Sequence, residues 1–355
     1  MKGLAGHPLY WNDLRAIATA PFIPWEKLQD SSLFISGATG LIGSCLIEAI
    51  LLRNQEYGLN CTVFALSRNR EKALSRFSGW RNCPFLQIVE GDVNAGIPFP
   101  ENESCVFVLH LASNTHPVAY ATDPIGTITT NIIGTQNMLD LAFHVSAKRF
   151  LFASSNEIYG ENRGDQELFD ESYLGYIDCN TLRAGYPESK RCGEALCQAY
   201  RIQKNIDVVI PRLTRTYGPT LLDSDTKALS QFIKKGVAGE DIVLKSSGTQ
   251  YYSYQYVADS VSGLLTVLLC GKNGEAYNIA HESSDITLRE LASIIALMNG
   301  KKVVYEEPNA VELAGYSTAT KARLNGKKLE ELGWKPAYTI NDGLNRTIRI
   351  LRDLT

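Results

Sequence analysis

The sequence has no cysteine pair in CxxC spacing and no Cys or His cluster at zinc-binding distances, so no metal is expected. Its eight cysteines are scattered, and several, such as Cys61 and Cys105, stand inside apolar runs. They read as buried free thiols, the state of a reducing compartment. No apolar run approaches the ~20 residues of a membrane span. Residues 1–25 lack a basic start followed by an unbroken apolar stretch, so no secretory signal is read there. A soluble, cytoplasmic protein is expected. Charge of one sign is also missing: 35 basic against 38 acidic residues leave a formal net charge of −3. Neither nucleic acid nor an anionic membrane is therefore an expected partner. An anionic ligand has to be held by locally placed Arg, Lys and backbone N–H groups.

What is present is an ordinary globular composition, 45% apolar over 355 residues, enough for one large or two modest domains. Residues 8–30 read as a short helix and a Pro-containing connector. A regular alternation follows. Apolar strands are expected at 32–36, 61–66, 85–89, 105–111, 149–153 and 206–211, separated by helices at 41–53, 70–77, 124–147 and 186–204. Near-continuous apolar strands between amphipathic helices predict an α/β fold, a doubly wound parallel sheet covered on both faces. Beyond 212 the pattern loosens into helices at 226–238, 287–299, 325–332 and 340–352 with short strands near 242–245, 276–279 and 302–305. The expected division is an N-terminal helical extension (1–30), a dinucleotide-binding Rossmann domain (31–212) and a smaller α/β substrate lobe (213–355). Some segments of that lobe return to the sheet, and it packs over the sheet's C-terminal edge.

The segment SLFISGATGLIG, 32–43, runs from a strand through Gly37, Gly40 and Gly43 into an apolar helix. Glycine permits the tight turn and the close approach of backbone to a pyrophosphate, and the helix N-terminus offers free N–H groups to it. The strand, the helix and the βα units that follow supply the context a bare glycine pattern lacks. The second strand ends A65-L-S67-R68-N-R70, without the acid that binds the ribose hydroxyls of NAD. Ser67 and Arg68 suit a 2′-phosphate, which points to NADP over NAD; solvated loop charges are the plainer alternative. Asp92 is placed to hydrogen-bond an adenine amino group or to close a turn.

Tyr186 and Lys190 stand at i and i+4 where a helix opens, so phenol and ammonium share one face. The lysine is expected to lower the phenol's pKa and to reach a nicotinamide ribose, making Tyr186 a base or acid at neutral pH. Upstream, S154-S155-N156-E157 begins at a strand end, and the Ser155 hydroxyl is placed to hydrogen-bond the reacting oxygen. His110 ends an apolar strand and reads as a structural hydrogen-bonding residue.

These residues together resemble the extended short-chain dehydrogenase/reductase family, and within it the nucleotide-sugar epimerases, dehydratases and decarboxylases. The resemblance is carried by GATGLIG (37–43), HLAS (110–113), NIIGT (131–135), SSNEIYG (154–160), YPESK (186–190), RLTRTYGP (212–219), YVAD (256–259) and LGWKP (332–336). The tracts 110–124 and 181–194 look closest to UDP-glucuronate decarboxylases. The resemblance implies NAD(P) held also by Leu41, Ile42, Val93, Leu111, Ala112, Ser113 and Asn131. It implies oxidation of sugar C4 through Tyr186, Lys190 and Ser155, with Glu157 as a further catalytic carboxylate. Tyr120 and Asn156 are implied at the substrate. Homodimerisation through the helices at 124–147 and 186–204 is implied as well.

Two positions depart from that pattern. Relatives carry an arginine for the substrate diphosphate where this chain has Tyr252, and an asparagine where it has Arg215. Arg215 is expected to return the missing cation. Asn156 cannot protonate a leaving hydroxyl, which disfavours dehydration, while Glu157 either acts on the substrate or caps the following turn. The leading expectation is an NAD(P)-dependent enzyme that oxidises a nucleotide sugar at C4 and then decarboxylates or dehydrates it. The rivals are a 4-epimerase, a net NADPH-dependent carbonyl reductase and a non-catalytic dinucleotide sensor.

Overall fold

The computed structural model describes residues 4–99, 106–115, 117–310, 313, 316 and 319–355. Cys105 and the start of the strand expected at 105 lie outside them. Helix α1 (Pro8–Ala18) precedes β1 (Ser32–Ser36), α2 (Leu41–Tyr57), β2 (Thr62–Ser67), α3 (Arg70–Arg76), β3 (Leu86–Glu90) and β4 (Phe107–His110). Then come α4 (Pro117–Thr122), α5 (Pro124–His144), β5 (Arg149–Phe152), β6 (Ser154–Ser155), α6 (Gly185–Lys204) and β7 (Val208–Leu213). The remainder runs β8 (Arg215–Tyr217), α7 (Ala228–Ala238), β9 (Ile242–Leu244), β10 (Tyr251–Tyr256), α8 (Val257–Cys270), β11 (Ala276–Ile279), β12 (Asp285–Thr287), α9 (Leu288–Met298), β13 (Val303–Tyr305) and β14 (Lys321–Ala322). A helical turn, Lys327–Glu330, and a closing helix, Ile340–Leu354, complete it.

The main sheet is the expected doubly wound parallel one, in the order β11-β7-β5-β4-β1-β2-β3, with β6 also on β7. Every neighbouring pair in it is parallel. Strands β1 and β4 are buried on both faces, which is why they read as unbroken apolar runs. The order reverses between β1 and β4, opening the crevice where such sheets hold ligands. Strand β11 is an outer strand of this sheet, paired with β7. A second sheet, β12-β10-β14 with β8 on β10, and a two-strand pair, β13-β9, stand beyond.

Helix α1 is woven into this core. Tyr10, Leu14 and Ile17 recur at helical spacing and are buried. The Tyr10 hydroxyl donates to Glu48 of α2 at 2.5 Å, and Asp13 takes the Tyr256 hydroxyl at 2.6 Å and Arg346 Nε at 2.7 Å. Buried polar groups so paired fix the angle at which the helix docks.

Candidate active site

The glycine loop is built as a cradle. Gly37 has φ +68°, and a Cβ there would meet Leu111 C and Ala112 N of the neighbouring loop at 2.6 and 2.7 Å. Only glycine lets the two loops approach so closely. Gly40 caps α2 with no side chain among the described residues on its free N–H groups, and Gly43, in the first turn of that helix, lies against the Gly37 carbonyl. Leu41 and Ile42 open that helix. The uncapped helix start fits a pyrophosphate. Across the crevice, the Ser36 hydroxyl meets His110 Nδ1 at 2.7 Å and accepts the N–H groups of Leu111 and Ala112 at 3.2 and 3.3 Å. His110 is therefore a brace between β1 and β4; burial first, then Lys190, hold its pKa near 3.

Residues assigned to the far end of the cofactor divide. The Ser67 hydroxyl donates to the carbonyl of Asn69 at 3.0 Å and accepts its N–H at 3.3 Å, so it closes its own loop. Arg70 donates to the Ile88 carbonyl at 2.8 Å, whereas Arg68 is exposed and takes part in no hydrogen bond or ion pair among the described residues. Asp92 closes a turn by accepting Asn94 N–H at 2.9 Å, and Val93 packs against Gly134 of α5.

A relay of hydrogen bonds joins the loop after β4 to the start of α6. Ser113 donates to Asn131 Oδ1 at 2.8 Å, Asn131 donates to the Ser189 hydroxyl at 2.9 Å, and Ser189 donates to the Tyr186 carbonyl at 2.9 Å. Sequence reasoning did not single out Ser189, which stands three residues past Tyr186 on the face turned to α5. On the same helix, Gly193 sits so close to the Phe152 ring that a Cβ would strike it. That approach lays Lys190 over β5, where its ammonium donates to the Ala153 carbonyl at 2.9 Å.

Burial governs both members of the Tyr–Lys pair. It pushes Lys190 down to about 7, partly offset by Glu194. It pushes the Tyr186 phenol up to about 12, opposed by the hydrogen-bonding Ser155 hydroxyl. The expected depression of the phenol by Lys190 is therefore reversed in the chain itself. Desolvation disfavours the phenolate, and the ammonium spends its hydrogen bond on Ala153.

Beside the phenol lies a charged group that the sequence showed only in part. The Tyr120 ring stacks on Tyr186 with centroids 4.8 Å apart, and the Arg183 guanidinium covers Tyr120 at 4.7 Å. Arg183 Nη2 donates to Glu157 Oε2 at 2.6 Å, and Arg215 Nη2 stands 3.7 Å from Glu157 Oε1. Arg215 lies 3.5 Å over the Tyr252 ring, whose hydroxyl donates to the Ala319 carbonyl at 2.5 Å. Burial raises the Glu157 carboxyl, but Arg183 and Arg215 outweigh it and hold it below its usual range. Ser155 caps the following turn by accepting Glu157 N–H at 3.2 Å, so Glu157 itself is not the cap. Asn156 is buried at the same turn. Among the described residues, Arg183 Nε and Nη1 and Arg215 Nη1 are buried with no hydrogen-bond partner. Arg183 was missed; its signal was its place three residues before Tyr186, on the turn leading into α6.

Residues 33–280 match the model of the NAD dependent epimerase/dehydratase family. The chain belongs to that family. It is an enzyme of the extended short-chain dehydrogenase/reductase type. It is 30% identical to UDP-glucuronic acid decarboxylase 1 of Xenopus tropicalis, over 90% of this chain and 72% of that one. It is 31% identical to UDP-glucuronic acid decarboxylase 3 of Arabidopsis thaliana, over 88% and 86%. Among solved structures it resembles the dTDP-glucose 4,6-dehydratase of Streptomyces venezuelae with NAD and TYD bound, at 24% identity and TM-score 0.77 over 91% of this chain and 97% of that one. The UDP-glucuronic acid 4-epimerase of Bacillus cereus, in complex with UDP-glucuronic acid and NAD, matches at 21% identity and TM-score 0.75 over 91% and 100%. These two likenesses establish the shared fold. Among the described residues, no helix is long and apolar enough to cross a membrane.

Proposed function

We propose that this chain oxidises C4 of a nucleotide-linked sugar acid with a recycled nicotinamide and then decarboxylates it, acting on UDP-glucuronic acid or a near relative. The observation that carries the reading is the pair of guanidiniums beside Tyr186. Two cations face one carboxylate there, and both have buried N–H groups without a partner among the described residues. Such a site lacks one anion, and a sugar carboxylate next to the reacting carbon supplies it. The cradle of Gly37, Gly40 and Gly43 would hold a nicotinamide dinucleotide, which would supply a hydride acceptor that is restored within each turnover. Tyr186, assisted by Ser155, takes the C4 hydroxyl proton, and Lys190 lies one helical turn along for the nicotinamide ribose. Once C4 is a ketone, the electron pair of the C5–carboxylate bond runs toward that carbonyl as CO2 leaves.

The division into a Rossmann domain (31–212) and a substrate lobe (213–355), a homodimer through α5 and α6, and a cytoplasmic setting belong to the same reading. The preference for NADP rests on Arg68 alone, since Ser67 and Arg70 are engaged elsewhere. The test is incubation with UDP-glucuronic acid and NAD, followed by mass spectrometry of the nucleotide sugars. A product lighter by one CO2, without net change in nicotinamide absorbance, is expected. An isobaric product makes the enzyme a 4-epimerase instead, and stoichiometric consumption of NADPH makes it a carbonyl reductase.

A further inference from the structure

Arg183 and Arg215 approach the same carboxylate on unequal terms. Arg183 holds Glu157 at 2.6 Å, a full charge-assisted hydrogen bond, whereas Arg215 stands off at 3.7 Å. Its orientation is set elsewhere. The guanidinium lies 3.5 Å over the Tyr252 ring, and that ring is pinned by the bond from its hydroxyl to Ala319. Strands β8 and β10 pair in parallel with Arg215 opposite Tyr254, which places Tyr252 diagonally across on the same face. One nitrogen of Arg215, Nη1, is buried without a partner among the described residues. The cation is thus fixed in plane by an aromatic platform, loosely satisfied in charge, and under-bonded.

Resting on the nucleotide-sugar reading above, we propose that Arg215 is a shared cation: it leans on Glu157 in the empty site and transfers its pairing to an anionic group of the substrate when one binds. Glu157 then keeps only Arg183 and becomes a proton-accepting and proton-donating group only in the loaded site. Arg215 is the specificity-determining residue of this exchange, and Glu157 responds to it.

The groups facing Glu157 make the direction of that response definite. They are Arg183 and Arg215, which stabilise its charge, and Tyr120, Tyr186 and Tyr252, whose phenols the Glu157 charge helps to keep protonated. Burial already pushes the Glu157 carboxyl upward, so withdrawing one of its two cations shifts it toward the protonated form. The same residue therefore links substrate binding to acid–base competence. A site that lacked this exchange would hold Glu157 ionised throughout.

The substrate's anion has two sources, the diphosphate and the sugar carboxylate, and the binding measurements separate them. Arg215→Gln is compared with the unaltered enzyme, loaded with NAD, by titration calorimetry with UDP, UDP-glucose and UDP-glucuronic acid. A loss of roughly 10-fold or more for all three assigns Arg215 to the diphosphate. A loss confined to UDP-glucuronic acid assigns it to the carboxylate, and either result supports the proposal. Unchanged affinity for all three overturns it. The second readout is the ionisation of Glu157 by infrared difference spectroscopy. Adding the tightest of these ligands to the unaltered enzyme is expected to raise the carboxyl's titration midpoint. In Arg215→Gln the midpoint is already raised before ligand is added, and a midpoint equal in both empty proteins overturns the proposal. If Arg215→Gln does not fold, Arg215→Lys keeps the charge without the flat stack, and a smaller loss of affinity is expected; no loss overturns it. Failure of the unaltered enzyme to bind any nucleotide sugar would count against the proposed function, and is thereby distinguishable from failure of the exchange.

Discussion

Lys190 and Tyr186 are carried into the protein four residues apart, and burial drives both toward their uncharged forms. For Lys190 the folded value, about 7, lies below the ordinary 10.5. The unfolded chain therefore binds more protons between those values, and this group's contribution to stability rises with pH across that window. Lys190→Met is expected to flatten that rise, so that its thermal midpoint relative to the unaltered protein falls as pH climbs from 7 toward 10.5. A pH-independent difference between the two melting curves would show that Lys190 carries no such penalty. Tyr186→Phe tests the chemistry more directly. Turnover should drop by roughly 10²–10⁴ while NAD and UDP-sugar affinities stay within a few-fold, because only the proton transfer is removed. At the other end of the cofactor, Arg68→Ala should weaken NADP by about 10-fold and leave NAD unaffected. Equal effects on both cofactors would remove Arg68 from any role in choosing between them.

Elements show a different pattern of what the chain reveals about itself. The strands and helices of the main sheet were legible because fully buried parallel strands and their crossover helices repeat at close sequence spacing. Helix α2 outran its expected end at 53 and continues to Tyr57, since its last turn is held by polar contacts that no apolar period marks. Asn54 brackets the Cys61 backbone, and Glu56 receives Arg15 of α1 at 2.6 and 3.0 Å. The second sheet was nearly invisible, because β8 and β14 have three and two residues and gain their identity from pairing with the distant β10. The site divides likewise: Ser155, Tyr186 and Lys190 stood out by residue type at a strand end and a helix start, while the Arg183–Glu157 contact depends on how two loops meet. The docking of α1 on α2 gives an element-scale test. Glu48 is raised to about 7 by burial, so folding takes up a proton between 4.5 and that value, and stability falls as pH rises through the window. Glu48→Gln is expected to shrink the fall in thermal midpoint between pH 5 and pH 8 by roughly 2–4 °C. An identical fall in both proteins would mean that the α1–α2 latch does not titrate.

At the scale of the whole molecule the open question is what covers the outer faces of α5 and α6. These helices pack against one another and carry the parts of the site that must not move: Asn131 of the relay on α5, Tyr186, Ser189 and Lys190 on α6. Yet α5 exposes Ile125, Ile133 and Phe143, and α6 exposes Ile202, the isoleucines at 125 and 202 by more than 70%. Large apolar groups gathered on one helix pair mark an association surface, and a two-fold axis lets the same pair cover itself in a second copy. The protein is therefore expected to elute with a mass near twice 39.2 kDa by light scattering. Ile133→Glu with Ile202→Glu should bring it to a single chain with unchanged helical content, since neither side chain supports the core of its own copy. Loss of the dimer should also loosen the Asn131–Ser189 bond, because the helices that frame it would lose their outer support. Turnover in the single-chain form is expected to fall while nucleotide affinity is retained. A protein that is already a single chain at micromolar concentration, or a single-chain variant with full turnover, would place the rigidity of this site inside one copy alone.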